Sequence, residues 1–144
     1  MTEAEERAHL IEVARGWSGT PFHDNQGLKG VGCDCAHFLA RAAEEAGLVD
    51  RVAIEHYSPQ FMLHTDVGLF ESYVQRFAHQ IAEADAGLGD IVLYHVGRSY
   101  AHGAFIVEWP GKVIHAFKTF GCVCETPGDE QDLVGRKVKF YSFW

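Results

Sequence analysis

The residues with the clearest chemical potential in this 144-residue chain are one cysteine and two histidines. Cys35 follows Asp34 at the start of a helical pattern, and His102 and His115 flank a short turn sequence. A thiol is a good nucleophile near neutral pH only as thiolate. A helix N-terminus, with its partial positive charge and free N–H groups, favours that form. A histidine within reach takes the thiol proton and later returns it to a leaving amine, while a group on its far side orients the ring. Cys35 as nucleophile, His102 as base and His115 as orienting group would split acyl bonds. The competing reading is an inert thiol, because free cysteines are among the most buried side chains. Cys33, before the cap and in a glycine-rich loop, is assigned to packing.

Each of these residues needs an element to place it. Asp34 is a good N-cap and Gly47 a good residue just past a helix end. Between them Cys35, Phe38, Leu39, Ala42, Ala43 and Ala46 recur at helical spacing, so Cys35 begins the buried face of a helix. Laying that face on a sheet aims the sulfur at the sheet. Residues 102–107 and 112–116 flank Glu108-Trp109-Pro110-Gly111 and read as a β-hairpin, Pro-Gly fitting the centre of a type II turn. A four-residue loop puts Val107 opposite Lys112, Ala104 opposite His115 and His102 diagonal to His115, roughly 7–8 Å away between backbones. A two-residue loop at Pro110-Gly111 would put Ile106 opposite His115 and separate the histidines. The triad favours the first register, and the sequence leaves both open.

The remaining pattern is helices first, strands after. Thr2 and Glu5 make a capping box ahead of the stripe Leu10, Ile11, Val13, Ala14 and Trp17, with Gly16 near its end. Residues 18–33 read as a glycine-rich loop, 52–54 as a short strand and 66–82 as mixed helix. Strand-like runs follow at 91–95, 102–108, 112–117 and 137–143. That order predicts an α+β domain, N-terminal helices packed on an antiparallel sheet, in one unit over residues 1–144.

A net charge of −8 argues against wrapping nucleic acid or docking on an anionic membrane, and leaves room for a local basic cleft. The acidic start lacks the basic segment and apolar run of a secretory signal or membrane anchor, so the chain is expected to be made in a cytoplasm without membrane insertion. In that setting four cysteines are expected as reduced thiols. His23, His56, His64, His79 and His95 are expected to meet solvent or backbone. His37 shares that expectation but lies close to Cys35. A rival reading gathers Cys33, Cys35, Cys122 and Cys124 around a structural zinc, a weaker pattern than paired CxxC motifs.

Taken in order, Gly19-Thr20-Pro21-Phe22, Gly32-Cys33-Asp34-Cys35, Gly89-Asp90-Ile91-Val92, His102-Gly103-Ala104-Phe105-Ile106-Val107 and Val113-Ile114-His115-Ala116 resemble the NlpC family of papain-like cell-wall peptidases. The resemblance runs from Trp17 to the tail at residues 140–143. It implies a papain-like core, a Cys35-His102-His115 triad and no metal or cofactor. It also implies hydrolysis of peptidoglycan stem peptides, typically between γ-D-glutamate and a diamino acid such as diaminopimelate. Phe22, Asp34 and His37 are the residues it would place against substrate. Phe22 stands where the family often has tyrosine, whose hydroxyl can serve the oxyanion, and His37 where it has a small residue. Tyr57-Ser58-Pro59-Gln60 with His64 and Asp66 looks like the version in phage tail and gene-transfer-agent peptidases, which implies tail proteins as partners and a virion as the carrier to the wall. An inactive peptidoglycan-binding tail component and an acyltransferase using the same Cys–His pair are the other readings.

Overall fold

The computed structural model of the chain describes residues 1–58 and 68–144. Pro59, Gln60, His64 and Asp66 lie outside the described residues. Helix α1 (Glu3–Arg15) starts at Thr2, whose hydroxyl accepts from the Glu5 N–H at 3.2 Å. Helix α2 (Cys35–Glu45) is capped by Asp34 and followed by Gly47 at φ +79°, a left-handed conformation that glycine adopts without a Cβ clash. A third helix, α3 (Leu69–Gln75), precedes a 3-10 turn at Glu83–Asp85.

Two short strands, β1 (Gly27–Leu28) and β2 (Gly32–Cys33), pair in the glycine-rich loop. The main sheet comprises β3 (His79–Ile81), β4 (Ile91–Val96), β5 (Ser99–Glu108), β6 (Lys112–Phe117), β7 (Cys122–Thr126) and β8 (Val138–Ser142). Its order is β3-β8-β4-β5-β6-β7, with every neighbouring pair antiparallel. This is the expected α+β arrangement.

Strand alternation divides the apolar residues between two faces. Leu93, Phe105, Ile114 and Val123 meet Leu10, Ile11, Phe38, Leu39 and Phe70 from the helices. Val92, Tyr94, Ala104, Ile106, Val113 and Phe117 form a second cluster with Leu133 and Phe140. Each fully buried large side chain contributes about 1.5–3 kcal/mol, so the helix-covered face is a main source of stability. Gly103 belongs to that face. A Cβ there would stand 2.9 Å from Leu39 Cδ1 and Phe70 Cζ and 3.0 Å from Leu93 Cδ2, so glycine lets α2 and α3 approach β5.

Three expectations are corrected. Residues 52–54 form no strand, because side chains of α2 bind the Val52 backbone: its N–H donates to Glu44 Oε1 at 2.6 Å and its carbonyl accepts from Arg41 Nη1 at 2.8 Å. The hairpin closes with Glu108 opposite Lys112, not Val107, and the Trp109–Pro110 peptide is cis. Residues 122–126, read only as a CxC motif, form strand β7. The hairpin body nonetheless keeps the register of the four-residue loop, with Phe105 opposite Ile114 and Ile106 opposite Val113, because an irregularity between Ile106 and Glu108 absorbs one residue.

Candidate active site

Asp34 organises the start of α2. Its Oδ1 accepts from the His37 N–H and from His37 Nδ1, both at 2.8 Å, and its Oδ2 accepts from the Asn25 N–H at 2.7 Å and from the Tyr57 hydroxyl. Burial alone would raise this carboxyl's pKa, but the bonds from His37 and Tyr57 hold it below the usual carboxylate range. Asn25, at φ 61°, also clasps the Tyr57 backbone: Nδ2 donates to its carbonyl and Oδ1 accepts from its N–H, each at 2.9 Å. Tyr57 is thereby fixed beside the first turn of α2.

Cys35 is half-buried in that turn and its Sγ lies 3.7 Å from the Ala101 carbonyl of β5. Cys35, Phe22, Tyr57, Ala101, His102 and Arg136 line one open cleft. Burial pushes the thiol up, the Asp34 charge adds to that, and the backbone N–H groups of Gly103, Ala36 and Cys35 act in the opposite direction without overcoming it. The expected ease of thiolate formation at a helix start is therefore outweighed by desolvation and a neighbouring carboxylate. His102 moves the other way: burial first, then the Arg136 guanidinium, hold its imidazole down at about 4. Both shifts favour the neutral forms, thiol and imidazole.

His102 and His115 meet as the hairpin register requires, with His102 Nε2 and His115 Nδ1 2.8 Å apart. His115 is fully buried, stacks on Phe117 with centroids 4.4 Å apart, and reaches Thr126 Oγ1 through Nε2 at 2.9 Å. Burial, then the nearby His102, hold its pKa down. The hydrogen-bond partners assign the tautomers. Thr126 has one hydroxyl proton and donates it to the Pro127 carbonyl at 3.0 Å, so toward His115 it can only accept. His115 Nε2 therefore carries the proton and Nδ1 the lone pair. His102 must then donate from Nε2, which leaves His102 Nδ1 as the basic nitrogen of the pair.

Of the residues expected to meet substrate, Phe22 lines the cleft. Asp34 and His37 are buried, turned toward each other, and absent from the cleft lining. Cys33 is fully buried, its pKa raised to about 12 by burial and then by Asp34. All four cysteines are free thiols, and among the described residues no group of three or more His, Cys, Asp or Glu is placed to hold a metal. His23, His56 and His79 are exposed, and His95 packs edge-on against Tyr100. Sequence reasoning missed Thr126, Arg136 and the position of Tyr57. Thr126 carries no motif, and Arg136 lies in a segment whose only local signal is Gly135.

No family profile and no curated protein matches the chain. Solved structures of NlpC/P60 domains match its fold along nearly its whole length. The peptidoglycan hydrolase RipB from Mycobacterium tuberculosis has a TM-score of 0.65 at 18% identity, over 99% of this chain and 68% of that one. The P60 domain of an antigen from M. avium subspecies paratuberculosis has a TM-score of 0.66 at 18% identity, over 97% of this chain and 96% of that one. RipD from M. tuberculosis, described as a non-catalytic NlpC/p60 domain protein adapted to peptidoglycan binding, has a TM-score of 0.63 at 14% identity, over 96% of this chain and 98% of that one. The chain has the papain-like NlpC/P60 fold that its motif order implied.

Proposed function

We propose that this protein is a cysteine peptidase that hydrolyses amide bonds in bacterial peptidoglycan stem peptides. The observation that carries the reading is the relay that leaves His102 Nδ1 basic in the cleft that holds Cys35 Sγ. As Sγ attacks the scissile carbonyl, the S–C bond forms, the thiol proton moves to His102 Nδ1 and the carbonyl oxygen takes the negative charge. Phe22 has no hydroxyl to offer that oxygen, and the His37 N–H is held by Asp34, so the Cys35 and Ala36 N–H groups at the start of α2 are the donors. Collapse breaks the C–N bond, and His102 gives its proton to the leaving amine. Water, deprotonated by His102, then releases the acid from the thioester and restores the thiol.

The γ-D-glutamyl-diamino acid bond is the proposed target, supported by the motif resemblance. The same resemblance, through Tyr57 and the residues after it, supports synthesis in a cytoplasm and delivery on a phage tail. Asp34 and His37 are proposed to serve the site by holding α2 and Tyr57, with Phe22 as a cleft wall. The test is release of new amino groups from purified stem peptides by wild type and by Cys35→Ala, with masses of the products. Cleavage lost in Cys35→Ala supports the peptidase. Binding by both proteins without cleavage overturns it in favour of a peptidoglycan-binding domain.

A further inference from the structure

Arg136, on the loop between β7 and β8, is the residue of the cleft whose chemistry the relay does not use. Its Nε donates to the Asp132 carbonyl at 2.7 Å and its Nη1 to the His95 carbonyl at 3.2 Å. Two segments therefore anchor the guanidinium through backbone oxygens, which carry no full charge to neutralise it. Among the described residues no carboxylate side chain pairs with Arg136. Asp132, which also lines the cleft, accepts from Thr119 Oγ1 at 2.7 Å. Arg136 is exposed and lines the cleft with Cys35, His102 and Lys118, and the two carboxylates of the same lining, Asp24 and Asp132, are not bonded to it. An anchored arginine with donors to spare suits a carboxylate, because little side-chain freedom remains to be lost on binding.

The side of the scissile bond follows from the chemistry. His102 must protonate the leaving amine, so the amine component lies on the His102 side of the thiol. Arg136 Nη1 is tied to the carbonyl of His95, whose neighbour Tyr94 pairs with His102 across β4 and β5, so the guanidinium sits by the His102 end of the cleft.

We propose that Arg136 is a specificity-determining residue that receives a free carboxylate carried by the amine component of the scissile bond, selecting diamino acids that bear such a group. The inference rests on the peptidase reading above and deepens it. Diaminopimelate keeps a carboxylate at the end of its side chain when it is linked into a stem peptide. Lysine in the same place offers none, and amidation of diaminopimelate removes the charge.

The experiment uses one pair of peptides, L-alanyl-γ-D-glutamyl-diaminopimelyl-D-alanine with the side-chain carboxyl free or amidated. Both are followed by cleavage with wild type and with Arg136→Gln and Arg136→Lys, and by calorimetric binding to the Cys35→Ala protein with and without Arg136→Gln. A hydrogen bond to a charged group is worth on the order of 10- to 100-fold. Wild type should favour the free acid by that factor, chiefly through KM. The preference should fall to about one in Arg136→Gln and return in part in Arg136→Lys, and the affinity of Cys35→Ala should show the same pattern. Equal handling of the two peptides by wild type and by Cys35→Ala, or a preference that survives Arg136→Gln, would sink the proposal. A preference seen in binding to Cys35→Ala while wild type cleaves neither peptide would keep the carboxylate site and remove the peptidase.

Discussion

His115 Nε2 lies 2.9 Å from Thr126 Oγ1, a hydroxyl whose own proton is committed to the Pro127 carbonyl. With that assignment His115 donates to Thr126 and accepts from His102. Thr126→Val keeps the shape of the side chain and removes the acceptor, leaving a buried N–H without a partner at a cost of about 1–3 kcal/mol. The expected result is a lower unfolding free energy together with a kcat reduced more than KM is raised, with both largely restored in Thr126→Ser. Denaturant unfolding and steady-state kinetics on the same variants check it. A valine variant with wild-type kcat would show that the tautomer is fixed by other means.

The histidine pair also predicts how stability responds to acid. Both imidazoles have folded pKa values below the ordinary 6.5, so on acidification the unfolded chain takes up protons that the folded chain refuses. Stability is fully present above about 6.5 and falls as pH drops toward about 4 for His102 and lower for His115. The limiting slope is about 1.4 kcal/mol per pH unit for each group. Asp34, held below the usual carboxylate range, adds its own loss only at lower pH, so the interval from 6.5 to 4.5 belongs mainly to the histidines. Urea unfolding across that interval should show the fall, and His115→Asn should make it shallower. A wild-type stability flat from pH 7 to 4.5 would contradict the buried neutral pair.

Activity has a separate pH signature. His115 bonds to His102; Cys35, Asp24, Lys118, Asp132 and Arg136 line the cleft with His102, and Arg136 opposes its protonation. A base free down to about 4 should keep kcat/KM high at pH 5.5, where an ordinary imidazole would be mostly protonated. Rates measured only where the protein remains folded should show the acid limb well below 6. An acid limb centred near 6.5 would mean that His102 takes up its proton as an ordinary imidazole, and that burial and Arg136 do not hold it down.

The parts of this site that were legible in the sequence are those whose signals are local. Asp34, the Cys35 stripe and Gly47 announce α2 through capping and 3.6-residue periodicity, and the alternation on either side of the turn announces β5 and β6. The hairpin tip was not legible, because the irregularity between Ile106 and Glu108 depends on how the strands twist as they pair, and no residue type there demands it. Thr126 reaches His115 only because β7 pairs with β6 in a register that sets His115 opposite Cys124. Tyr57 and Arg136 arrive on loops held by long-range hydrogen bonds, from Asn25 for Tyr57 and to the His95 carbonyl for Arg136. Such contacts have no period to detect.

Gly103 joins the fold and the site in one residue, and the last prediction concerns it. It follows His102 directly in β5, and strand alternation turns it toward the helices while the His102 ring meets His115. A Cβ would stand 2.9–3.0 Å from Leu39, Phe70 and Leu93, all of them well packed, so neither helix can yield without moving another contact. Overpacking of this kind costs typically about 1–3 kcal/mol. Because Leu39 lies on α2, the same helix that Cys35 begins, relief of the clash by shifting α2 away from β5 would also shift the thiol relative to His102. Gly103→Ala should therefore lose both stability and kcat. The partner variant Gly103→Ala with Leu39→Ala, which removes one of the clashing side chains, should regain kcat more fully than stability, since the second change leaves a cavity of its own. Unfolding by denaturant and turnover on the stem peptide, measured on the single and double variants, separate the two effects. A single variant that loses stability yet keeps full kcat would show that the strand, not the helix, gives way.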